Sequence, residues 1–403
     1  MTVVTAPGGP RANARPFLYG DEITAVARAL ESGQYGHGAE TEAFERELAA
    51  YLDVPDVVAV ATGTAALHLA LLTAGVGPGD EVVVPSLTFC ASVQATLACG
   101  ARPRFVDVDP ATLCTTAEHL RAALTPATRA VMPVLYGGRA INLTSVRQQL
   151  ADQSVAVVED AAHAFGSYAG PRRVGATGDL TCFSFDAIKA LTCGDGGAVV
   201  PRTVGEAAVL RRARSLGITR SRADRGAAVS YTVDGTGFRY HLSTLHAAIG
   251  RVQLARFPEM ETRRRRLWNV YAAALRDIEN VTVVDLDVAN TVPFTCTVLV
   301  PAPLRDEVHT RLRAAEIAVG VHYPLNHLQP AFSHVARPLP QSEALWRQIL
   351  SLPFHPAMTE NDVHTVATAL RRTLHLATGN TPSGATVREQ DRDHRHHPTE
   401  VRK

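Results

Sequence analysis

Between Asp21 and Val200, short apolar runs alternate with longer mixed stretches. Residues 57–60, 81–85, 104–108, 130–134 and 155–158 are too short and too uniformly apolar for surface helices, and read as strands covered on both faces. Residues 65–72, 92–98 and 143–152 carry helical spacing, and Asp21 and Glu22 give a further helix the acidic first turn that its dipole favours. This alternation predicts an α/β fold with a mostly parallel central sheet. Ligands of such sheets sit at the carboxyl ends of the strands, so the loops there are where chemistry is sought.

A helical stretch over 243–275, broken at Pro258, leads into a second pattern. Strands are expected at 281–284 and 295–300, and helices at 304–315 and 360–374. The expected organisation is a flexible N-terminus (1–14), a large domain (15–257), a smaller α+β C-terminal domain (258–377) and a disordered tail (378–403). The tail lacks the apolar residues needed to offset the entropy of ordering.

Composition narrows the class. The 403 residues are 46% hydrophobic and 20% charged, with a formal net charge of +1. No global basic field exists to draw nucleic acid or membrane. Arg263 to Arg266 read as a solvated helix face, and His394, His396 and His397 as a solvated tail, so no metal is expected. The six cysteines form no C-x-x-C pair, and reduced thiols are the default. Residues 1–14 lack the apolar run of a signal peptide, and no stretch nears the roughly 20 apolar residues of a membrane span. A cytoplasmic location is the expectation.

Four local signals follow strands. Thr62-Gly63-Thr64-Ala65 runs from a tight turn into a helix, whose N-terminal N–H groups suit a phosphate. Asp160 stands just past a buried strand, where a carboxylate can pair with a protonated ring nitrogen. Ser184 and Lys189, five residues apart, deliver a hydroxyl and an amine from one loop. Gly194-Asp195-Gly196-Gly197 then allows a close backbone passage. Each has an ordinary alternative: a plain βα turn, a helix N-cap, a solvated lysine, a hairpin turn. Their joint order describes a pocket for an anionic aromatic aldehyde, with Phe89 placed to stack on its ring.

The run from Glu159-Asp160-Ala161-Ala162-His163-Ala164 through Phe183-Ser184-Phe185 to Lys189 and Gly194-Asp195-Gly196-Gly197 resembles the DegT-type (StrS-type) nucleotide-sugar aminotransferases. Supporting segments are Gly36-His37-Gly38 with Glu42 and Phe44, Pro85-Ser86-Leu87-Thr88-Phe89, Val321-His322-Tyr323-Pro324, and Leu352-Pro353 with Met358-Thr359. The resemblance implies a dimeric enzyme of the aspartate-aminotransferase fold (fold type I) that uses pyridoxal 5'-phosphate (PLP) and passes through pyridoxamine phosphate. It implies that Lys189 is the Schiff-base lysine and proton carrier, that Asp160 partners the ring nitrogen, and that Gly63, Thr64, Ala65 and Ser184 form the phosphate site. Phe89 is then the stacking ring, and His163 stands where many members carry a glutamine near the ring hydroxyl.

The chain departs from the family pattern at Gly237-Phe238-Arg239-Tyr240-His241-Leu242-Ser243, where members often place an asparagine that reaches the partner subunit's cofactor phosphate. Arg239 or His241 is expected in that role. Lysine rather than histidine at 189 favours transamination over dehydration. The implied reaction moves the amino group of L-glutamate, leaving 2-oxoglutarate, to a TDP-linked 4-keto-6-deoxyhexose, with C3 amination as the alternative. Arg220, Arg222 and Arg225 are candidates for the nucleotide diphosphate. Competing classes are a PLP lyase or a desulfurase using Cys193, and a PLP-binding regulator without turnover.

Overall fold

The computed structural model describes residues 9–219, 230–284 and 287–377. The candidate diphosphate ligands Arg220, Arg222 and Arg225 lie outside the described residues, as do 1–8 and the 378–403 tail. The chain opens with helices α1 (Asp21–Glu31) and α2 (Ala39–Leu52). Then come β1 (Val58–Val60), α3 (Gly63–Thr73), β2 (Glu81–Pro85), α4 (Cys90–Ala98), β3 (Arg102–Val106), α5 (Ala117–Ala123), β4 (Thr128–Val131), α6 (Thr144–Asp152) and β5 (Ala156–Asp160). A small hairpin, β6 (Tyr168–Ala169) and β7 (Arg172–Arg173), precedes β8 (Leu180–Ser184), β9 (Gly197–Val200) and α7 (Val204–Ala213).

The main sheet has the order β1-β9-β8-β5-β4-β2-β3, with β9 antiparallel to both neighbours and the remaining pairs parallel. Because β9 alone runs backwards, the carboxyl ends of β1, β2, β5 and β8 share one edge with the start of β9. One apolar cluster, including Val82, Val84, Val158 and Leu180, packs on one sheet face, and another, built from Phe44, Phe165, Phe183 and Phe185, packs on the other. Burial on both faces explains why the strands read as apolar runs. Hydroxyl caps fix the helix starts: the side chains of Thr62, Thr116 and Thr203 each accept a backbone N–H in the first turn of α3, α5 and α7.

The helical stretch divides into α8 (Thr244–Ala255) and α9 (Phe257–Leu275). Pro258 sits in the first turn of α9, where its missing N–H costs no helical bond. The chain then adds β10 (Thr282–Val283), β11 (Cys296–Leu299), α10 (Arg305–Ala314), α11 (Pro340–Trp346), β12 (Ile349–Leu352) and α12 (Glu360–Ala377). β10, β11 and β12 form an antiparallel sheet in that order. Trp268, Tyr271, Val298, Leu350 and Leu370 pack into its own core. A cluster containing Leu87, Tyr136, Val284, Leu325 and Ile349 joins this unit to the main sheet. Among the described residues no helix is long and apolar enough to cross a membrane.

Residues 9–14, expected to be flexible, are tied to the small sheet unit. The Asn13 side chain donates to the carbonyls of Ala318 (3.1 Å) and Ser351 (2.8 Å), and its own carbonyl accepts from Phe354 N–H at 2.9 Å. Ala318 N–H donates to Pro10 O at 2.8 Å, and buried His355 contacts Gly9 O. The physical reason is backbone pairing, which composition does not reveal. Asn13→Ala removes two of these bonds and should lower stability by about 1–3 kcal/mol. Arg11→Ala breaks only an exposed pair with Glu316 and should stay within about 1 kcal/mol of wild type. Thermal melts of the two variants check this difference.

Candidate active site

The shared edge of the main sheet collects most of the predicted site. Asp160 ends β5 and is buried. Ser92, in the first turn of α4, donates its hydroxyl to Asp160 Oδ2 at 2.6 Å, and Ala162 N–H donates to Oδ1 at 3.1 Å. Burial nevertheless pushes the Asp160 carboxyl above its ordinary range, partly opposed by those two bonds and by the Lys189 charge. Such a carboxylate fits a cationic ring nitrogen set against it.

Lys189 follows β8 in a turn closed by its N–H to Asp186 O at 3.0 Å. Burial brings its amine down to about 8, against the opposing pull of Asp160 and Asp186. The Nζ lies 4.7 Å from the centre of the Phe294 ring. Phe294 also stacks on His163, with ring centres 4.0 Å apart and planes 19° apart. Gly137 N–H points at His163 Nδ1 at 3.4 Å, which leaves Nε2 to donate to the Tyr323 hydroxyl at 3.0 Å. Burial, with the Lys189 charge, holds His163 well below its ordinary value, so it is neutral near pH 7. Phe89 caps α4 from outside, 56% exposed, its ring 5.7 Å from that of Tyr323.

The candidate phosphate cup rests on close backbone approaches. A Cβ on Gly63 would lie 2.7 Å from Ser184 Cβ, and one on Gly197 would lie 2.5 Å from Thr62 O. Glycine is therefore required where the β1–α3 turn, the end of β8 and the start of β9 meet. Ala65 N–H is taken by the Thr62 hydroxyl at 3.0 Å, so Ala65 keeps only its position in the first turn. Thr64 is exposed there, and Ser184 is buried beside Gly63. The first-turn N–H groups, the Ser184 hydroxyl, the buried Asp160 and the nearby lysine amine fit PLP.

Arg239 and His241 are not joined by any described contact to Asp160, Lys189 or His163. Their segment covers the β1 edge, with Ala61 N–H donating to Tyr240 O at 2.7 Å and His241 bridging Val60. Both side chains line a groove of about 980 Å³ with Gly36, Gly38 and Arg212. Cys193, the residue a desulfurase reading would need, is fully buried, and burial pushes its thiol well up. Beyond the residues expected from the sequence, Ser92, Phe294 and Tyr323 also touch the site. The i, i+3 spacing of Phe89 and Ser92 was an available signal for Ser92, whereas Phe294 stands in an irregular stretch with none.

The fold and this edge define a PLP-dependent enzyme of fold type I. Residues 17–371 match the DegT/DnrJ/EryC1/StrS aminotransferase family, and the chain belongs to it. It is 35% identical to the aminotransferase TlmJ from Streptoalloteichus hindustanus, over 91% of this chain and 99% of that one, with a TM-score of 0.85. The sugar aminotransferase CalS13 from Micromonospora echinospora is 32% identical over 90% of this chain and 99% of its own, with a TM-score of 0.83. Spr1654 from Streptococcus pneumoniae, solved with PLP, is 25% identical over 91% of this chain and 99% of its own, with a TM-score of 0.83, and is also known in a PMP form. The enzyme is a PLP-dependent sugar aminotransferase.

Gly63→Ala and Gly197→Ala should each weaken PLP binding and cost about 1–3 kcal/mol of stability through overpacking. Gly77→Ala has nothing within 4 Å of the added carbon and should be neutral. PLP titrations and melts of the three variants check the contrast.

Proposed function

We propose that this enzyme transfers the amino group of L-glutamate to C4 of a TDP-linked 4-keto-6-deoxyhexose, for natural-product or surface-glycan synthesis. The observation that carries the reading is that buried Asp160 and the Lys189 amine act on each other through charge at one glycine-lined edge. When bound, PLP supplies the electron sink that lets the Cα–H bond of an amino acid ionise. Lys189 moves the proton between the donor Cα and the cofactor C4′, a role for which an amine near neutrality is suited. Asp160 holds a proton on the ring nitrogen. His163, neutral and fixed by Gly137 and Tyr323, orients the ring-hydroxyl side. Phe89 covers one ring face, while Gly63, Thr64 and Ser184 hold the phosphate and Ala65 shapes the turn that presents them. Arg239 or His241 reaches the phosphate of the partner subunit in a cytoplasmic homodimer. Residues 15–257 form the cofactor domain and 258–377 the smaller one. The length of the segment from Lys189 to Asp195 resembles that of family members that aminate C4, which supports C4 over C3 amination.

L-Glutamate should convert the visible band of the PLP-loaded enzyme to a pyridoxamine-like band, and Lys189→Ala should not turn over. A lysine-independent band would sink the assignment of Lys189. Incubation with 4-keto and 3-keto TDP-sugars, with the product identified by NMR, then separates the two regiochemistries.

The lowered Lys189 amine sets a pH dependence. Only the neutral amine attacks the cofactor aldehyde, so attachment of PLP to the cofactor-free protein should speed up about tenfold per pH unit and level off above about 8. Asp160→Asn removes a charge that raises the amine, so the midpoint should move to lower pH. Stopped-flow absorbance across pH 6.5–10 would contradict this if the wild-type midpoint lay near the ordinary lysine value.

A further inference from the structure

Asn326 and His327 stand in a short helical turn, Asn326–Leu328, of the C-terminal unit, and both are buried. They grip the loop that leaves β2. Asn326 donates its backbone N–H (3.1 Å) and its side-chain Nδ2 (3.0 Å) to Ser86 O, and Nδ2 also donates to Thr88 O at 2.7 Å. His327 N–H donates to Ser86 Oγ at 3.0 Å. The Ser86 hydroxyl proton is thereby directed to His327 Nδ1 at 2.7 Å, and Nε2 carries the proton that faces Glu343 Oε1 at 3.4 Å. Ser86 has no solvent access, which rules out a nucleophile and leaves a latch.

The latch continues inward. Ser92 gives its proton to Asp160, so at 3.1 Å from Thr88 Oγ1 its oxygen is the acceptor and Thr88 the donor. The order is therefore Asn326 to Thr88 backbone, Thr88 hydroxyl to Ser92, Ser92 hydroxyl to Asp160. Phe89 is the next residue after Thr88, and Tyr323 lies three residues before Asn326. One buried amide thus fixes the stacking ring, the donor to the carboxylate and the loop that meets His163.

We propose that Asn326, seconded by His327, is a positioning residue through which the C-terminal unit sets Phe89 and the Thr88–Ser92–Asp160 relay for the cofactor. The proposal rests on the reading of Asp160, Lys189 and Phe89 as the cofactor site. Asn326 touches neither cofactor nor substrate. The donor to Thr88 O has no substitute among the described residues, because that carbonyl is buried and accepts from no other group, whereas Ser86 O keeps the backbone N–H groups of Asn326 and Thr88. An aspartate there would set a carboxylate against two carbonyl oxygens while keeping the shape.

The test measures three quantities for full-length wild type, Asn326→Ala, Asn326→Asp and Thr88→Val: thermal midpoint, PLP dissociation constant by absorbance titration, and the pH midpoint of PLP attachment to Lys189. Asn326→Ala should weaken PLP binding about 10-fold, as loss of roughly one net hydrogen bond gives. Asn326→Asp should weaken it more, with partial recovery at low pH where the new carboxyl is protonated. Both should move the attachment midpoint to lower pH, because Asp160 loses support for its charge. Thr88→Val cuts the relay without touching the latch and should shift the midpoint in the same direction. Folded Asn326 variants that keep the wild-type dissociation constant and midpoint overturn the proposal, even if they melt lower. If neither Asn326 variant folds, an unchanged midpoint in Thr88→Val overturns it. A wild-type protein with no Lys189-dependent band would fail the cofactor reading instead, and is told apart by that control.

Discussion

A carboxylate held away from water is costly unless hydrogen bonds and a cation are set against it, and Asp160 is the point at which this chain accepts that cost. β5 carries it to the sheet edge in the interior. Ser92 and Ala162 supply donors, and the nearest compensating charge is Lys189. The compensation runs both ways, since Asp160 in turn raises an amine that burial lowers. Neither residue would be well placed alone. The surrounding architecture brings them together at an edge where an anionic, basic heteroaromatic ring fits between the helix N-terminus and the carboxylate.

That edge depends on backbones more than on side chains. Six strands of the main sheet run one way and β9 runs against them, so the chain must return past the β1–α3 turn. Gly197 lets it pass Thr62, and Gly63 lets the same turn touch Ser184. The second half of the surroundings comes from the C-terminal unit. Phe294 precedes β11, Tyr323 sits in the loop before the Asn326 turn, and both converge on His163. The apolar cluster of Leu87, Tyr136, Leu325 and Ile349 holds the two halves in fixed relation.

Much of the main sheet was legible because its strands are buried on both faces and flanked by turn residues. β2 was read with its observed ends, and β1, β3, β4 and β5 within a few residues, since apolar runs such as Val82-Val83-Val84 have no alternative. The small sheet was harder. β10 shrinks from an expected four residues to Thr282–Val283, and β12 was not read at all, because Ile349-Leu350-Ser351-Leu352 is as compatible with a helix turn as with a strand. Residues 9–14 are hard to read for a related reason: a Pro- and Gly-containing lead-in carries no periodicity, and its backbone pairing with Ala318 and Phe354 depends on a surface more than 300 residues away. In the site, the charged and hydroxylic residues that end strands were legible. Phe294 is not, since its role arises only when distant segments meet, and Ser92 is marked in the sequence only by its i, i+3 spacing from Phe89.

Phe294 has a consequence for how a lysine can serve both as anchor and as proton carrier. A proton carrier must be neutral for part of its cycle and must also move. Burial meets the first demand by bringing the amine to about 8. The second fails if the amine is locked by a carboxylate or carbonyl, because each such bond must break before the side chain swings. Among the described residues Nζ makes no hydrogen bond, and its near neighbour is the face of Phe294. Attraction to an aromatic face is broad in direction and worth only about 0.5–2 kcal/mol. It can steady the protonated amine without fixing it to one geometry. The same ring stacks on His163, so the residue that leaves the lysine free to turn also holds its immobile neighbour in place.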